Sequence, residues 1–135
     1  MSDAALVVLI VDDDHAVLET MRMLLEVKGG FDVHCAVGSH GAVHFLAGPQ
    51  QVDVMIADVL LAGETTGIDI CCDARRRHPD VGVVVISADH LEDICDLPER
   101  SVYLRKPFGG NELLDAIARV QAFGVLGLSD GLPPA

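Results

Sequence analysis

The chain has no tryptophan, one tyrosine and four phenylalanines among its 135 residues. Because half of all residues are nevertheless hydrophobic, its core must be aliphatic. No apolar run approaches the roughly 18–20 residues that a membrane-spanning helix requires. The N-terminus also lacks the basic and apolar regions of a signal peptide. We therefore expect one globular domain without a membrane segment.

Basic residues are scarce as well. Nine Lys and Arg stand against 21 Asp and Glu, which gives a formal net charge of -12. A nucleic-acid surface needs clustered Lys and Arg, so this composition argues against a nucleic-acid partner. The carboxylates suit a site built from acids and a cation, although solubility alone accounts for most of them.

The sequence also lacks a Cys-x-x-Cys pair. Cys71 and Cys72 are neighbours in a predicted helix and cannot readily form a disulfide with each other. We interpret all the cysteines as reduced thiols of a cytoplasmic protein. They are Cys35, Cys71, Cys72 and Cys95.

Short apolar runs rich in β-branched residues predict buried strands at 6–11, 54–57 and 81–86. Segments 32–36 and 101–104 are weaker strand candidates. Helical patterns lie between the strands: one ends at Gly29-Gly30, and another runs over 39–47 with Ser39 as its cap. Others cover 67–77 and, in a short and poorly patterned form, 90–96. The last helix presents one apolar face with Leu113, Leu114, Ile117 and Val120.

Strand and helix patterns thus alternate five times. This order predicts an α/β fold with a parallel sheet, helices on both faces and right-handed crossovers. The domain is expected to occupy residues 1–123. Residues 124–135, rich in Gly, Pro and Leu, are predicted to form a C-terminal tail.

Polar residues follow four of the predicted strands. In an open parallel sheet, ligands bind beyond the carboxyl ends of the strands, so these side chains should converge. Neighbouring carboxylates repel unless a cation neutralises them, and their hard oxygens suit Mg²⁺. A carboxylate can attack phosphorus to form an aspartyl phosphate, while an amine and a hydroxyl stabilise the transferring group. The residues in question are Asp12, Asp13, Asp14, Asp58, Ser87 and Lys106.

In these residues the sequence resembles the receiver domains of two-component response regulators. The resemblance extends from Leu6 to about Val120. Its parts are the acid pair in Val-Asp-Asp, the lone Asp58, the Ser87-Ala88 step and the Tyr-Leu-Arg-Lys-Pro-Phe motif that begins at Tyr103. The resemblance implies a doubly wound, flavodoxin-like (βα)5 fold with a five-stranded parallel sheet of order 2-1-3-4-5.

The resemblance also implies a phosphorylation site. Asp58 would be the nucleophile that takes a phosphoryl group from a sensor histidine kinase or a histidine phosphotransfer protein. Asp13 and Asp58 would bind Mg²⁺ directly, and Asp12 would bind it through water. The backbone carbonyl of Leu60 would be the third protein ligand. The domain would then be a signalling switch that catalyses only its own phosphorylation and dephosphorylation.

A switch is implied by the same family pattern. Lys106 would pair with Asp58 and then with the phosphoryl group. Ser87 would move towards that group while Tyr103 changes rotamer and alters an output surface. The Lys106–Pro107 peptide bond would be cis.

Two departures from the family pattern concern the loop after Asp58 and the helix before Lys106, and the second leaves the output open. Ala62 stands where the family commonly has Pro, and Gly67 begins its helix one residue later than usual. Ser87 and Lys106 are 19 positions apart, a few fewer than is typical, so the helix between them is shortened. Shortened forms recur in receivers associated with certain hybrid histidine kinases. The sequence therefore does not identify the downstream target, and it leaves a homodimer open.

Three alternatives stay open beside a stand-alone receiver. The first is the terminal receiver of a hybrid histidine kinase. The second is a phosphatase with an aspartate nucleophile in an Asp-x-Asp motif, which Asp12 and Asp14 formally provide. The third is a pseudo-receiver that binds partners without phosphorylation. We expect Asp14 to cap the first helix instead of binding metal.

Overall fold

The computed structural model describes residues 5–58, 67–87 and 100–125. These residues include five strands and four helices. The strands are β1 (Val7–Asp12), β2 (Asp32–Val37), β3 (Val54–Asp58), β4 (Gly82–Ser87) and β5 (Ser101–Arg105). The helices are α1 (His15–Leu24), α2 (Gly38–Ala47), α3 (Gly67–Arg77) and α4 (Gly110–Val125). After α1, the turn over Leu25–Gly29 has π-helical geometry.

The strands form one parallel sheet of order β2-β1-β3-β4-β5. This confirms the predicted α/β fold and its strand order. The register places Asp12 opposite Val37, and Asp58 opposite Ile86. Because all strands run in the same direction, the polar residues at their carboxyl ends are brought to one edge of the sheet.

Two aliphatic cores lie on opposite faces of the sheet. Val8 and Ile10 pack with α1 and α4 on one face, whereas Leu9 and Val11 pack with α2 and α3 on the other. Burial on both faces explains why β1, β3 and β4 are continuous apolar runs in the sequence. The edge strand β2 has only two buried residues, Val33 and Ala36, and its sequence signal is correspondingly weaker.

Helix α4 packs closely on the sheet. Leu113, Ile117 and Val120 are buried, as its apolar face predicts, and Leu114 is half-buried. A Cβ placed on Gly82 would lie 2.8 Å from Val120 Cγ2. Only a glycine at that position in β4 leaves room for the helix at this distance.

The predicted cap of α2 is wrong. The helix begins at Gly38, and Ser39 lies buried within its first turn instead of capping it. The reason is the backbone of Gly38, whose φ of 75° turns the chain directly from β2 into the helix.

Two other predictions concern segments that lie wholly or partly outside the described residues. The short helix predicted at 90–96 lies outside the described residues. Helix α4 runs to Val125, two residues past the predicted domain boundary, and the rest of the predicted tail is likewise outside. Among the described residues, no helix combines the length and apolar character needed to cross a membrane.

Candidate functional site

Buried polar residues gather at the carboxyl edge of the sheet. Four polar residues among those described are buried, and Asp12, Asp58 and Ser87 are three of them. They end β1, β3 and β4, and their exposures are 6%, 7% and 1%. Burying carboxylates is unfavourable unless they are paired or bind a cation. Their grouping therefore marks this edge as the candidate functional site.

Lys106 brings a positive charge to the edge. Its Nζ donates a hydrogen bond to Asp58 Oδ2 at 2.5 Å. The backbone N–H of Lys106 donates to the carbonyl oxygen of Ser87 at 2.8 Å, which holds the start of the β5–α4 connection beside the end of β4. Burial lowers the pKa of Lys106, but the hydrogen bond and the charges of Asp58 and Asp12 outweigh burial and raise it overall. The side chain is thus cationic at neutral pH.

Asp12 carries a charge that its surroundings do not fully compensate. Burial raises the pKa of its carboxyl group, and the negative charge of Asp58 raises it further. The Asp14 N–H, which donates to Asp12 Oδ1 at 2.9 Å, and the charge of Lys106 oppose this effect without cancelling it. A bound cation would relieve the remaining repulsion.

Asp14 has a structural role. Its Oδ1 accepts hydrogen bonds from the backbone N–H groups of Ala16 and Val17 at 2.8 Å and 3.4 Å, so Asp14 is the N-cap of α1. This confirms the predicted cap. Asp13, by contrast, is exposed at the same edge and has Gly38 as a neighbour.

The carboxylate oxygens of Asp12 and Asp58 are chemically suited to binding a magnesium ion. No group of three His, Cys, Asp or Glu side chains within the described parts of the chain is arranged to hold a metal ion. Mg²⁺ does not require such a group, because it keeps several waters and often binds through one or two carboxylates and a phosphate. Asp12 and Asp58 supply hard oxygen donors whose repulsion a cation would reduce. The predicted carbonyl ligand of Leu60 lies outside the described residues.

The remaining predicted residues lie along β5 and just after it. Tyr103 is half-buried on β5, opposite Val85 of β4. The Lys106–Pro107 peptide bond is cis. Tyr103, Lys106 and Glu112 line a common hollow that also includes Pro107.

A second hollow is also lined by Lys106. Its volume is about 460 Å³, and α1 forms one wall of it. The lining is mainly apolar and consists of Ala16, Val17, Thr20, Met21, Lys106, Pro107 and Phe108. This hollow cannot be predicted from the sequence, since its walls come from segments about 90 positions apart. Gly38 also escapes prediction, because its one signal in the sequence is a glycine two residues after the predicted strand at 32–36.

Comparisons with known proteins agree with the fold. A family model described as the response regulator receiver domain matches residues 8–118. A response regulator receiver protein from Sinorhizobium medicae WSM419 has a similar structure with a TM-score of 0.77 at 23% identity, covering 90% of this chain and 98% of that one. A CheY-like receiver domain protein from Methanospirillum hungatei JF-1 gives 0.77 at 20%, covering 92% and 99%. The chemotaxis response regulator CheY4 of Vibrio cholerae gives 0.75 at 22%, covering 87% and 99%.

Proposed function

The chain belongs to the receiver domains of response regulators, the phosphorylation-based switches of two-component signalling, and we propose that Asp58 accepts the phosphoryl group in this one. The observation that carries the proposal is the buried Asp58 carboxylate with Lys106 Nζ at 2.5 Å and Asp12 at the same sheet edge.

The transfer is a substitution at phosphorus. A carboxylate oxygen of Asp58 forms a bond to phosphorus as the bond between phosphorus and the imidazole nitrogen of the donor breaks. The negative charge on the transferring group must be neutralised where it develops. Lys106 is positioned for this task because its ammonium group already contacts Asp58.

Metal binding is assigned to the acids of the same edge. Asp13 and Asp58 would bind Mg²⁺ directly, Asp12 would bind it through water, and the carbonyl of Leu60 would be the third protein ligand. When bound, Mg²⁺ neutralises charge on the phosphoryl oxygens. The raised pKa of Asp12, due to burial and then to Asp58, supports a cation at this position.

Phosphorylation changes what Lys106 and Ser87 contact. Once Asp58 carries the phosphoryl group, Lys106 pairs with a phosphoryl oxygen, and the Ser87 hydroxyl donates a hydrogen bond to another. The Lys106 N–H already bonds the Ser87 carbonyl oxygen, so displacements of β4 and of the segment after β5 are linked. Tyr103, on β5, changes rotamer with them and alters the output surface.

The proposed phosphoryl donor is a sensor histidine kinase or a histidine phosphotransfer protein in the cytoplasm. The hollow between α1 and Phe108 supports a protein donor, since it offers an apolar surface directly beside Lys106. A terminal receiver of a hybrid histidine kinase would use the same site in the same way.

Beryllofluoride, which imitates a phosphoryl group on a carboxylate, tests this proposal. The full chain is titrated with beryllofluoride and Mg²⁺, and its amide resonances are followed by NMR. We expect the resonances of Ser87 and Tyr103 to shift in the wild type and to stay unchanged in Asp58→Asn. Unchanged wild-type resonances, or equal shifts in the variant, would overturn the switch.

A further inference from the structure

Two glycines among the described residues have a positive φ, yet their surroundings differ. Gly30 ends the π-helical turn with a φ of 66°, and Gly38 follows β2 with a φ of 75°. A Cβ placed on Gly30 would have nothing within 4 Å. A Cβ placed on Gly38 would lie 3.2 Å from Asp13 Oδ1, so that the carboxylate would have to shift by a few tenths of an ångström.

The sheet register explains this proximity. Asp12 pairs with Val37 across β1 and β2, so Asp13 and Gly38 leave the two strands side by side. The backbone around Asp13 is held on both sides. Asp12 ends β1 and accepts a hydrogen bond from the Asp14 N–H, and Asp14 in turn caps α1. The part of Asp13 that a neighbour can displace is therefore its carboxylate.

We infer that Gly38 is a positioning residue for the magnesium site. By having no side chain, it leaves the Asp13 carboxylate in the orientation from which Asp13 binds Mg²⁺. The inference rests on the proposed function, because it assigns Asp13 as a ligand. Gly38 itself contacts neither the metal nor the phosphoryl group.

Gly30 provides a matched control for this inference. Ala at either position must adopt a positive φ, so Gly38→Ala and Gly30→Ala should lower the unfolding temperature by comparable amounts. Gly38→Asn separates the two effects, since Asn tolerates a positive φ but still carries a Cβ. Disturbing a group that orients a ligand typically weakens metal affinity by about tenfold or more.

The experiment measures Mg²⁺ affinity of the full chain by NMR titration with MgCl₂, without a phosphoryl donor. We expect Gly38→Ala and Gly38→Asn to bind Mg²⁺ about tenfold more weakly than the wild type, and Gly30→Ala to bind it like the wild type. If the wild type binds Mg²⁺ and the Gly38 variants bind it equally well, the role of Gly38 is refuted while the proposed function stands. If the wild type itself does not bind Mg²⁺, the magnesium site of the proposed function fails, and this inference fails with it.

Discussion

Lys106 Nζ lies 2.5 Å from Asp58 Oδ2, although the two residues are 48 positions apart and β4 separates β3, which Asp58 ends, from β5, which Lys106 follows. The contact therefore reaches across the carboxyl end of β4. Asp58 is nearly buried, whereas the Lys106 side chain is 37% exposed. The pair therefore lies between a surface ion pair, which contributes little, and a buried one, whose disruption is costly.

A double-mutant cycle measures this pair. Lys106→Met should destabilise the wild type, because it leaves the Asp58 and Asp12 carboxylates without their cation. In the Asp58→Asn background the same change should cost less, with a coupling free energy of about 1 kcal/mol. Urea unfolding without Mg²⁺ gives the four stabilities, and the coupling should fall as salt is added. Additive effects would show that the contact contributes nothing to stability.

The raised pKa of Asp12 leads to a pH prediction. Burial and then the charge of Asp58 favour the neutral carboxyl group in the folded state. The folded state thus loses stability, relative to the unfolded state, as the pH rises above the ordinary value of 3.8. Asp12→Asn keeps the Oδ1 acceptor for the Asp14 N–H but removes the charge. It should stabilise the metal-free protein by about 1 kcal/mol at pH 7, the low end of the penalty for a poorly satisfied buried group.

The gain from Asp12→Asn should shrink as the pH is lowered from 7 towards 4, because the Asp12 carboxyl group then becomes neutral in the folded state and its charge no longer disfavours folding. Thermal unfolding across this range provides the measurement. Saturating Mg²⁺ should raise the unfolding temperature of the wild type more than that of the variant, since a ligand stabilises the state that binds it. A gain that does not depend on pH would refute an electrostatic cause.

Packing of α4 on the sheet is tested by a pair of glycine substitutions. Gly82→Ala places a methyl group 2.8 Å from Val120 Cγ2, and we expect it to destabilise the protein by about 1–3 kcal/mol through overpacking. Gly41→Ala in α2 is the control, because the atom nearest to its new methyl group would be Ala36 Cβ, at an ordinary contact distance of 3.6 Å. That change should stabilise the helix by about 0.5–1 kcal/mol. Equal effects in urea unfolding would contradict the close approach of α4.

Thiol reactivity distinguishes two neighbouring cysteines. Cys71 is fully buried in α3, and burial raises the pKa of its thiol to about 12, whereas Cys72 is exposed. The thiolate is the reactive form, so iodoacetamide at pH 8 should modify Cys72 in the folded protein and Cys71 only after unfolding. Peptide mass mapping reads both sites in one sample. Modification of Cys71 in the folded chain at the rate of Cys72 would contradict this packing.

The sequence predicts most of the fold for a simple physical reason. Strands buried on both faces must be continuous and apolar, so β1, β3 and β4 stand out, and the order of strands and helices limits the topology. The edge strand β2 exposes Cys35 and Val37 and gives a weaker signal. Ser39 was misassigned as a cap because the turn of the chain depends on the φ of Gly38, which a preference for Ser at helix starts does not reveal.

The parts of the site that depend on topology can be predicted from the sequence, whereas the parts that depend on strand register cannot. Asp12, Asp58 and Lys106 follow strands, and parallel strands bring such residues to one edge. The cap at Asp14 also follows from the local sequence. Because Asp14 caps α1, its carboxylate is engaged in a structural role, although an Asp-x-Asp phosphatase would need it as the second acid. The proximity of Asp13 and Gly38 follows from the pairing of β1 with β2, which one sequence does not define.

The central claim is that Asp58 is the residue that carries the phosphoryl group. Incubation of the full chain with acetyl phosphate and Mg²⁺, followed by intact-mass spectrometry, tests it directly. We expect the wild type to gain the mass of one phosphoryl group, and Asp58→Asn to gain none. A phosphoryl group retained in Asp58→Asn, as an Asp12 nucleophile would produce, would contradict the assignment.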